Sequence, residues 1–218
     1  MPDTLIVNEI YRTLQGEGTT AGRPCVIVRL TGCNLHCTWC DTAHARDEGR
    51  EMTVAEVLAE VDQLGAPLVL VSGGEPLLQP ATPALLAALC DRGHSVLLET
   101  NGSRDLSAVD ERVVCCVDVK CPGSGEAGSF LEANLQRLGA DDEVKFVLAD
   151  RADYDYAAGF IRRHGLDGKV KVIMTPAFGR LAPVDLAGWL LADDEFTGTV
   201  RLGLQWHKIL WPEAERGV

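Results

Sequence analysis

Short apolar segments alternate with amphipathic helical segments along almost the whole chain, and this alternation limits the fold more than any other feature. Strand-like runs rich in Val, Ile and Leu stand at residues 5–11, 25–30, 68–71, 95–99, 113–119, 143–148, 170–174 and 200–204. Between them the apolar spacing predicts helices over 53–64, 83–92, 130–138, 153–164 and 184–191. In the first of these, Thr53 and Glu56 form a capping box, Val54, Val57, Leu58 and Val61 share one face, and Gly65 ends the helix. Strands separated by helical crossovers pair in parallel, with right-handed connections, so the chain is expected to be α/β with a parallel sheet. It contains no internal repeat, low-complexity segment or Pro- or Ser-rich linker, which favours a single domain over 1–218.

The stretches that carry chemistry mostly sit just after a strand. They are LQGEG (14–18), GCNLHCTWCD (32–41), SGGEP (72–76), ETNG (99–102), DVK (118–120) and MTPAFG (174–179). In parallel α/β folds that carboxyl edge is where ligands bind. The cysteines are the most specific of these signals. Cys33, Cys37 and Cys40 stand in a C-x3-C-x2-C spacing, which gives three thiolates where a closed zinc site or a fully ligated iron–sulfur cluster needs four. A three-thiolate site leaves one metal position open for a ligand. His36 or His44 would complete a zinc site by count, so zinc stays open at this level; the position after a strand and Trp39 beside the third cysteine favour a cluster. In SGGEP, Gly73 and Gly74 let a ligand approach the backbone and Glu75 adds a carboxylate.

Composition narrows the class. The 218 residues are 46% hydrophobic and 24% charged, as in ordinary globular proteins, and carry a net charge of −12. That acidity disfavours broad contact with nucleic acid. There is no apolar run of bilayer length and no secretory signal, so the expectation is a cytoplasmic protein with no membrane contact. Eight cysteines in such a chain point to metal or redox use over disulfides; Cys25, Cys90, Cys115, Cys116 and Cys121 read as core packing. His36, His44, His94 and His164 read as structural, and Asp47, Glu48 and Glu51 as a solvated loop.

The stretch from Cys33 to Cys40 resembles the C-x3-C-x-aromatic-C signature of the radical S-adenosylmethionine (SAM) superfamily. The resemblance implies an incomplete parallel (β/α)6 barrel with a lateral opening. It also implies a 4Fe–4S cluster on Cys33, Cys37 and Cys40 whose fourth iron is chelated by SAM. One electron then cleaves SAM to a 5′-deoxyadenosyl radical. SGGEP, DVK and the segment 175–178 match SAM-facing stretches of the superfamily, which makes Trp39, Gly74, Glu75, Asp118, Val119, Lys120, Thr175, Pro176, Ala177 and Phe178 the candidate cofactor contacts. Glu99, Thr100, Asn101 and Gly102 would orient SAM or close the site.

Within the superfamily the chain is similar to the 7-carboxy-7-deazaguanine synthase family, from Glu9 to about Val218 and most weakly across 130–191. These enzymes are carbon–nitrogen lyases that contract 6-carboxy-5,6,7,8-tetrahydropterin to 7-carboxy-7-deazaguanine with loss of ammonia, in queuosine and deazapurine biosynthesis. By this resemblance Leu14, Gln15, Gly16 and Glu17 recognise the pterin, Arg29 holds its carboxylate, and Ser72 and His207 also touch substrate. Thr42, in the family's CDT stretch, would help bind Mg2+. The resemblance further implies a homodimer and a flavodoxin-like electron donor. Gln205, Trp206, His207 and Lys208 resemble the family's Q-x-H-K stretch; some relatives end soon after it, whereas here EAERGV extends past Pro212, which weakens any role for Val218. Two other readings stay open: a different radical SAM enzyme, such as a glycyl-radical activase, and a zinc-binding structural module.

Overall fold

A computed structural model describes residues 3–196, 198–214 and 216–218; Met1, Pro2, Thr197 and Glu215 of the expected 1–218 unit lie outside the described residues. Nine strands form one sheet: β1 (Thr4–Leu14), β2 (Pro24–Leu30), β3 (Arg50–Thr53), β4 (Leu68–Gly73), β5 (Ser95–Thr100), β6 (Val114–Asp118), β7 (Glu143–Leu148), β8 (Lys171–Pro176) and β9 (Val200–Leu202). The spatial order is β3-β1-β2-β4-β5-β6-β7-β8-β9, and the sheet is open. From β2 to β9 every pairing is parallel, as the crossovers require. Seven strands are thus parallel, one more than the (β/α)6 barrel of the resemblance, and β9 lies within the expected 200–204 run.

The helices are α1 (Val54–Leu64), α2 (Thr82–Asp91), α3 (Arg151–His164), α4 (Pro183–Ala192) and α5 (Trp206–Leu210). The capping box of α1 forms in both directions, with Glu56 N–H donating to Thr53 Oγ1 and Thr53 N–H to Glu56 Oε2. Gly65 closes α1 in the left-handed region at φ 63°, where glycine carries no Cβ penalty. Val57, Leu58 and Val61 bury against the sheet with Leu85, Leu86 and Leu89 of α2, forming the main apolar layer outside the curved sheet. The concave face holds a smaller apolar floor of Cys25, Ile27, Leu68, Leu70 and Leu97.

Four expectations change. Strand β1 is antiparallel to β2 and runs on to Leu14, so the glycine-rich loop begins only at Gln15. Glu51 is not in a solvated loop: it lies in β3, which pairs antiparallel with β1. The helix over 130–138 is only a 3-10 turn, Glu132–Gln136. Its cause is the buried Asn134, whose amide donates to the Gly102 and Arg104 carbonyls and accepts from Leu106 N–H. A side chain committed to a neighbouring loop in this way competes with helical geometry. No α-helix lies between β5 and β6, so the (β/α) repeat is incomplete there as well.

Candidate active site

The parallel strands end on one edge, and alternate residues at those ends face the concave side because strand side chains alternate with period two. Arg29 of β2 lies beside Ser72 of β4, and Asp118 of β6 beside Lys145 of β7. With Glu99 of β5 they form a polar layer above the apolar floor. This layer opens into a cavity of about 450 Å³, within the usual size range of small-molecule sites.

The cysteine loop has no regular structure, and the ends of other strands hold it in place. Gly32 N–H donates to Ala45 O and Glu75 N–H to Gly32 O, at 2.8 and 2.7 Å. His36 N–H donates to Glu126 Oε1 and Thr38 N–H to Ser124 O, at 2.6 and 3.0 Å. Asn34 joins Ser103 and Asn101 beyond β5. Cys33, Cys37 and Cys40 all line the cavity, and all eight cysteines are free thiols. Burial raises the Cys37 thiol pKa and the nearby Lys120 ammonium opposes the shift.

Gly73 and Gly74 line the cavity, and they also make room for the cysteine loop. A Cβ on Gly73 would meet Leu30 O, and one on Gly74 would meet Gly32 O, each at 2.1 Å. The missing side chains let the cysteine loop dock against the end of β4. Glu75 faces away from the cavity. It is fully buried, and its carboxylate accepts from Thr100 Oγ1, Asn101 N–H and Leu77 N–H at 2.8–3.0 Å. Burial raises its pKa, against the opposing pull of these donors. Glu75 therefore organises the TNG turn that lies beside the cysteines.

Of the other expected cofactor contacts, Trp39, Gly74, Asp118, Lys120 and Phe178 line the cavity, while Val119, Thr175, Pro176 and Ala177 are buried and do not. Lys120 Nζ donates to Asp118 Oδ2 at 2.8 Å. The Arg180 guanidinium stacks 5.2 Å from the Trp39 ring centre. All the expected substrate residues, Leu14, Gln15, Gly16, Glu17, Arg29, Ser72 and His207, reach the cavity, and Thr42 joins them. Gly16 has no side chain where a Cβ would meet His207 Nδ1 at 2.6 Å, so the imidazole lies against the loop. His207 Nε2 stands 3.3 Å from Asp41 Oδ2. Burial alone would raise the Asp41 pKa, but His207, Lys208 and Arg29 hold it well below the usual carboxylate range. Arg29 is partly engaged, with Nε donating to Glu9 and Nη2 to Tyr11, both at 2.7 Å.

Several residues here escape sequence reading. Lys145 reads as part of a strand, yet it sits at the centre of the polar layer. Asp41 and Gln205 flank recognised positions; Gln205 bridges Glu17 and Phe178 N–H. Past Pro212, Ala214, Arg216, Gly217 and Val218 line the cavity, and Tyr11 Oη donates to Val218 O at 3.1 Å. His44, read as structural, lines the cavity beside Glu9.

The donor set fits the groups that the motifs imply. Three thiols without disulfide partners suit a cluster. Asp118 Oδ1 and Thr175 Oγ1 are buried with no hydrogen-bond partner among the described residues, and Asp118 faces the cavity, where an amino or hydroxyl donor would satisfy it. Glu17, Asp41 and His207 place ligand atoms within 4.8 Å of one another, and the two carboxylates among them are oxygen donors of the kind a hard cation takes.

Comparison with known proteins agrees with this geometry. Residues 27–114 match the radical SAM superfamily profile. The chain is 48% identical over 228 residues to a 7-carboxy-7-deazaguanine synthase of Koribacter versatilis, covering 97% of this chain and 99% of that one. It is 44% identical over 218 residues to the synthase of Chlorobaculum tepidum, covering 98% and 97%. Its fold matches the crystal structure of QueE from Escherichia coli with a TM-score of 0.76, over 94% of this chain and 95% of that one at 23% identity. Fold, site and sequence thus define a radical SAM enzyme, a class whose cofactors are a 4Fe–4S cluster and SAM. Within that class the chain belongs to the 7-carboxy-7-deazaguanine synthase family. This membership sets aside the zinc-module and glycyl-radical activase readings.

Proposed function

We propose that the chain, acting as one domain, converts 6-carboxy-5,6,7,8-tetrahydropterin to 7-carboxy-7-deazaguanine with release of ammonia; the product is the one that its relatives are named for. The observation that carries this reading is convergence. LQGEG, Arg29 and the Gln205–His207 stretch are far apart in sequence, yet they line one cavity with the three cysteines. Cys33, Cys37 and Cys40 would hold the cluster. Asp118 and Lys120 would take the charged groups of SAM, with Phe178 at the cavity edge. When bound, cluster and SAM supply the one-electron cleavage that generates a hydrogen-abstracting radical.

The chain's own residues bind and orient. The end-on edge of Arg29 meets the substrate carboxylate, while Glu9 and Tyr11 fix the guanidinium plane. Asp41 holds the His207 ring toward the substrate. Glu17, Gln15 and Ser72 offer hydrogen-bond partners to the ring system. Thr42, whose hydroxyl lies 3.8 Å from Cys40 Sγ, would contribute that hydroxyl to Mg2+. Leu35 and Trp39 line the cavity beside the cysteines and would exclude water there. The reading includes a homodimer, a flavodoxin-like electron donor and a cytoplasmic location; among the described residues no helix is long and apolar enough to cross a membrane.

The test is anaerobic turnover of the carboxytetrahydropterin with SAM, Mg2+ and a reductant, with the deazaguanine and ammonia quantified. Absence of product from protein with an intact cluster would overturn the substrate and leave the superfamily assignment standing.

A further inference from the structure

Strand β7 buries two charged side chains on its concave face. Glu143 and Lys145 are two residues apart and so point the same way, and each is only 3% exposed. Buried charge in the middle of a sheet is costly unless it is paired, so both need partners. Partners for both lie in the loop after β1, a strand five positions away from β7 in the sheet. Glu143 accepts from Thr19 N–H at 3.0 Å and from the Thr19 hydroxyl. Lys145 Nζ donates to Glu17 Oε2 at 2.7 Å and to Glu99 Oε1, with Asp118 Oδ2 at 3.9 Å. The two β7 side chains therefore grip the loop on either side of Gly18.

Gly18 carries the imprint of this grip. Its φ is +76°, and a Cβ there would meet Glu143 Oε2 at 2.6 Å. Glycine is required both by the left-handed backbone and by the carboxylate lying against it. The loop is tied at its other side by Trp206 N–H to Gly16 O and by Gln205 to Glu17. It thus spans the mouth of the open sheet from the β1–β2 side to β7.

We infer that Glu143 and Lys145 are positioning residues, which latch the 15–19 loop across the mouth of the sheet and present Glu17 to the substrate in one geometry. This rests on the reading that the loop binds the pterin. Lys145 also links the loop to Glu99 and Asp118, so one ammonium sets the spacing of three carboxylates around the cavity. A purely structural role would move stability alone, whereas a latch moves the substrate KM and loop mobility and leaves SAM binding in place.

The test uses cluster-reconstituted protein under anaerobic conditions. Thr19→Val removes one latch bond without burying an unpaired charge, and Lys145→Met removes the central ammonium. Amide exchange over residues 15–20 is expected to quicken about tenfold in Thr19→Val, with the pterin KM rising about tenfold. Lys145→Met is expected to raise that KM about 100-fold. Iron content stays at the wild-type value in both variants, and equilibrium SAM binding stays there in Thr19→Val, which does not touch Asp118. Wild-type KM and loop exchange in Thr19→Val would overturn the latch, as would an equal loss of SAM binding. Should Lys145→Met fail to fold, Thr19→Val decides alone. Amide exchange needs no substrate, so the latch is judged even if the wild type does not turn over the pterin.

Discussion

Replacing Gly74 by Ala perturbs the contact on which the cysteine loop rests. The added Cβ would lie 2.1 Å from Gly32 O and 2.8 Å from Cys33 Cβ. Gly74 has no positive φ, so the whole cost comes from contact and none from backbone strain. Ordinary contact begins at 3.4 Å, so the loop must retreat by about 1.3 Å. That displacement breaks the Glu75 N–H to Gly32 O bond, now 2.7 Å. One lost backbone bond and overpacking together cost about 2–4 kcal/mol, which lowers Tm by about 5–15 °C in a chain of this size. Cys33 moves with Gly32, whereas metal–ligand distances hold to within about 0.2 Å, so cluster loading falls as well. The assay is calorimetry together with iron and sulfide per chain after anaerobic reconstitution. Gly188→Ala is the control: it lies in α4, where a Cβ meets nothing within 4 Å, and it should leave both readouts unchanged or raise Tm slightly. Gly74→Ala with wild-type Tm and full iron content would refute the docking argument.

Three further outcomes follow from the site. Thr42→Ala should weaken the Mg2+ dependence of turnover while leaving iron content intact; equal loss of both would remove the metal role. Glu75→Gln puts an amide donor among the donors from Thr100, Asn101 and Leu77, and should cost about 1–3 kcal/mol in thermal denaturation. A variant as stable as wild type would show that the buried carboxylate does not organise the TNG turn. For Glu99, burial would raise the pKa, but Lys145 and Ser72 hold it below the ordinary carboxylate range. A depressed folded pKa means that the native state binds fewer protons than the unfolded one. Glu99 therefore adds stability above about pH 4.3 that is lost as pH falls through the folded value. Melting curves below about pH 4 should thus fall more steeply for wild type than for Glu99→Gln, and parallel curves would refute the assignment.

Legibility in the sequence followed the range of the interactions. Thr53, Glu56 and Gly65 define α1 through contacts within one or two turns, and those contacts form as the pattern requires. The 130–138 segment failed because Asn134 bonds to backbone about 30 residues earlier, which no local window contains. In the site, LQGEG, the cysteines and His207 could be recognised by their motifs. Glu75 was found by its motif and its orientation was not, since that depends on Thr100 and Asn101 arriving from β5.

By itself the sequence determined the parallel α/β class, the carboxyl edge as the place for chemistry and the three-thiolate spacing. Each of these follows from short-range periodicity or from residue types a few positions apart. Only the tertiary structure decided that the sheet stays open with two antiparallel strands at its edge, and that Gly73 and Gly74 serve the backbone of the cysteine loop. It alone decided that Lys145 binds Glu17, Glu99 and Asp118. Those three carboxylates come from a loop and two strands, and the ammonium is stable in the interior only because all of them converge on it.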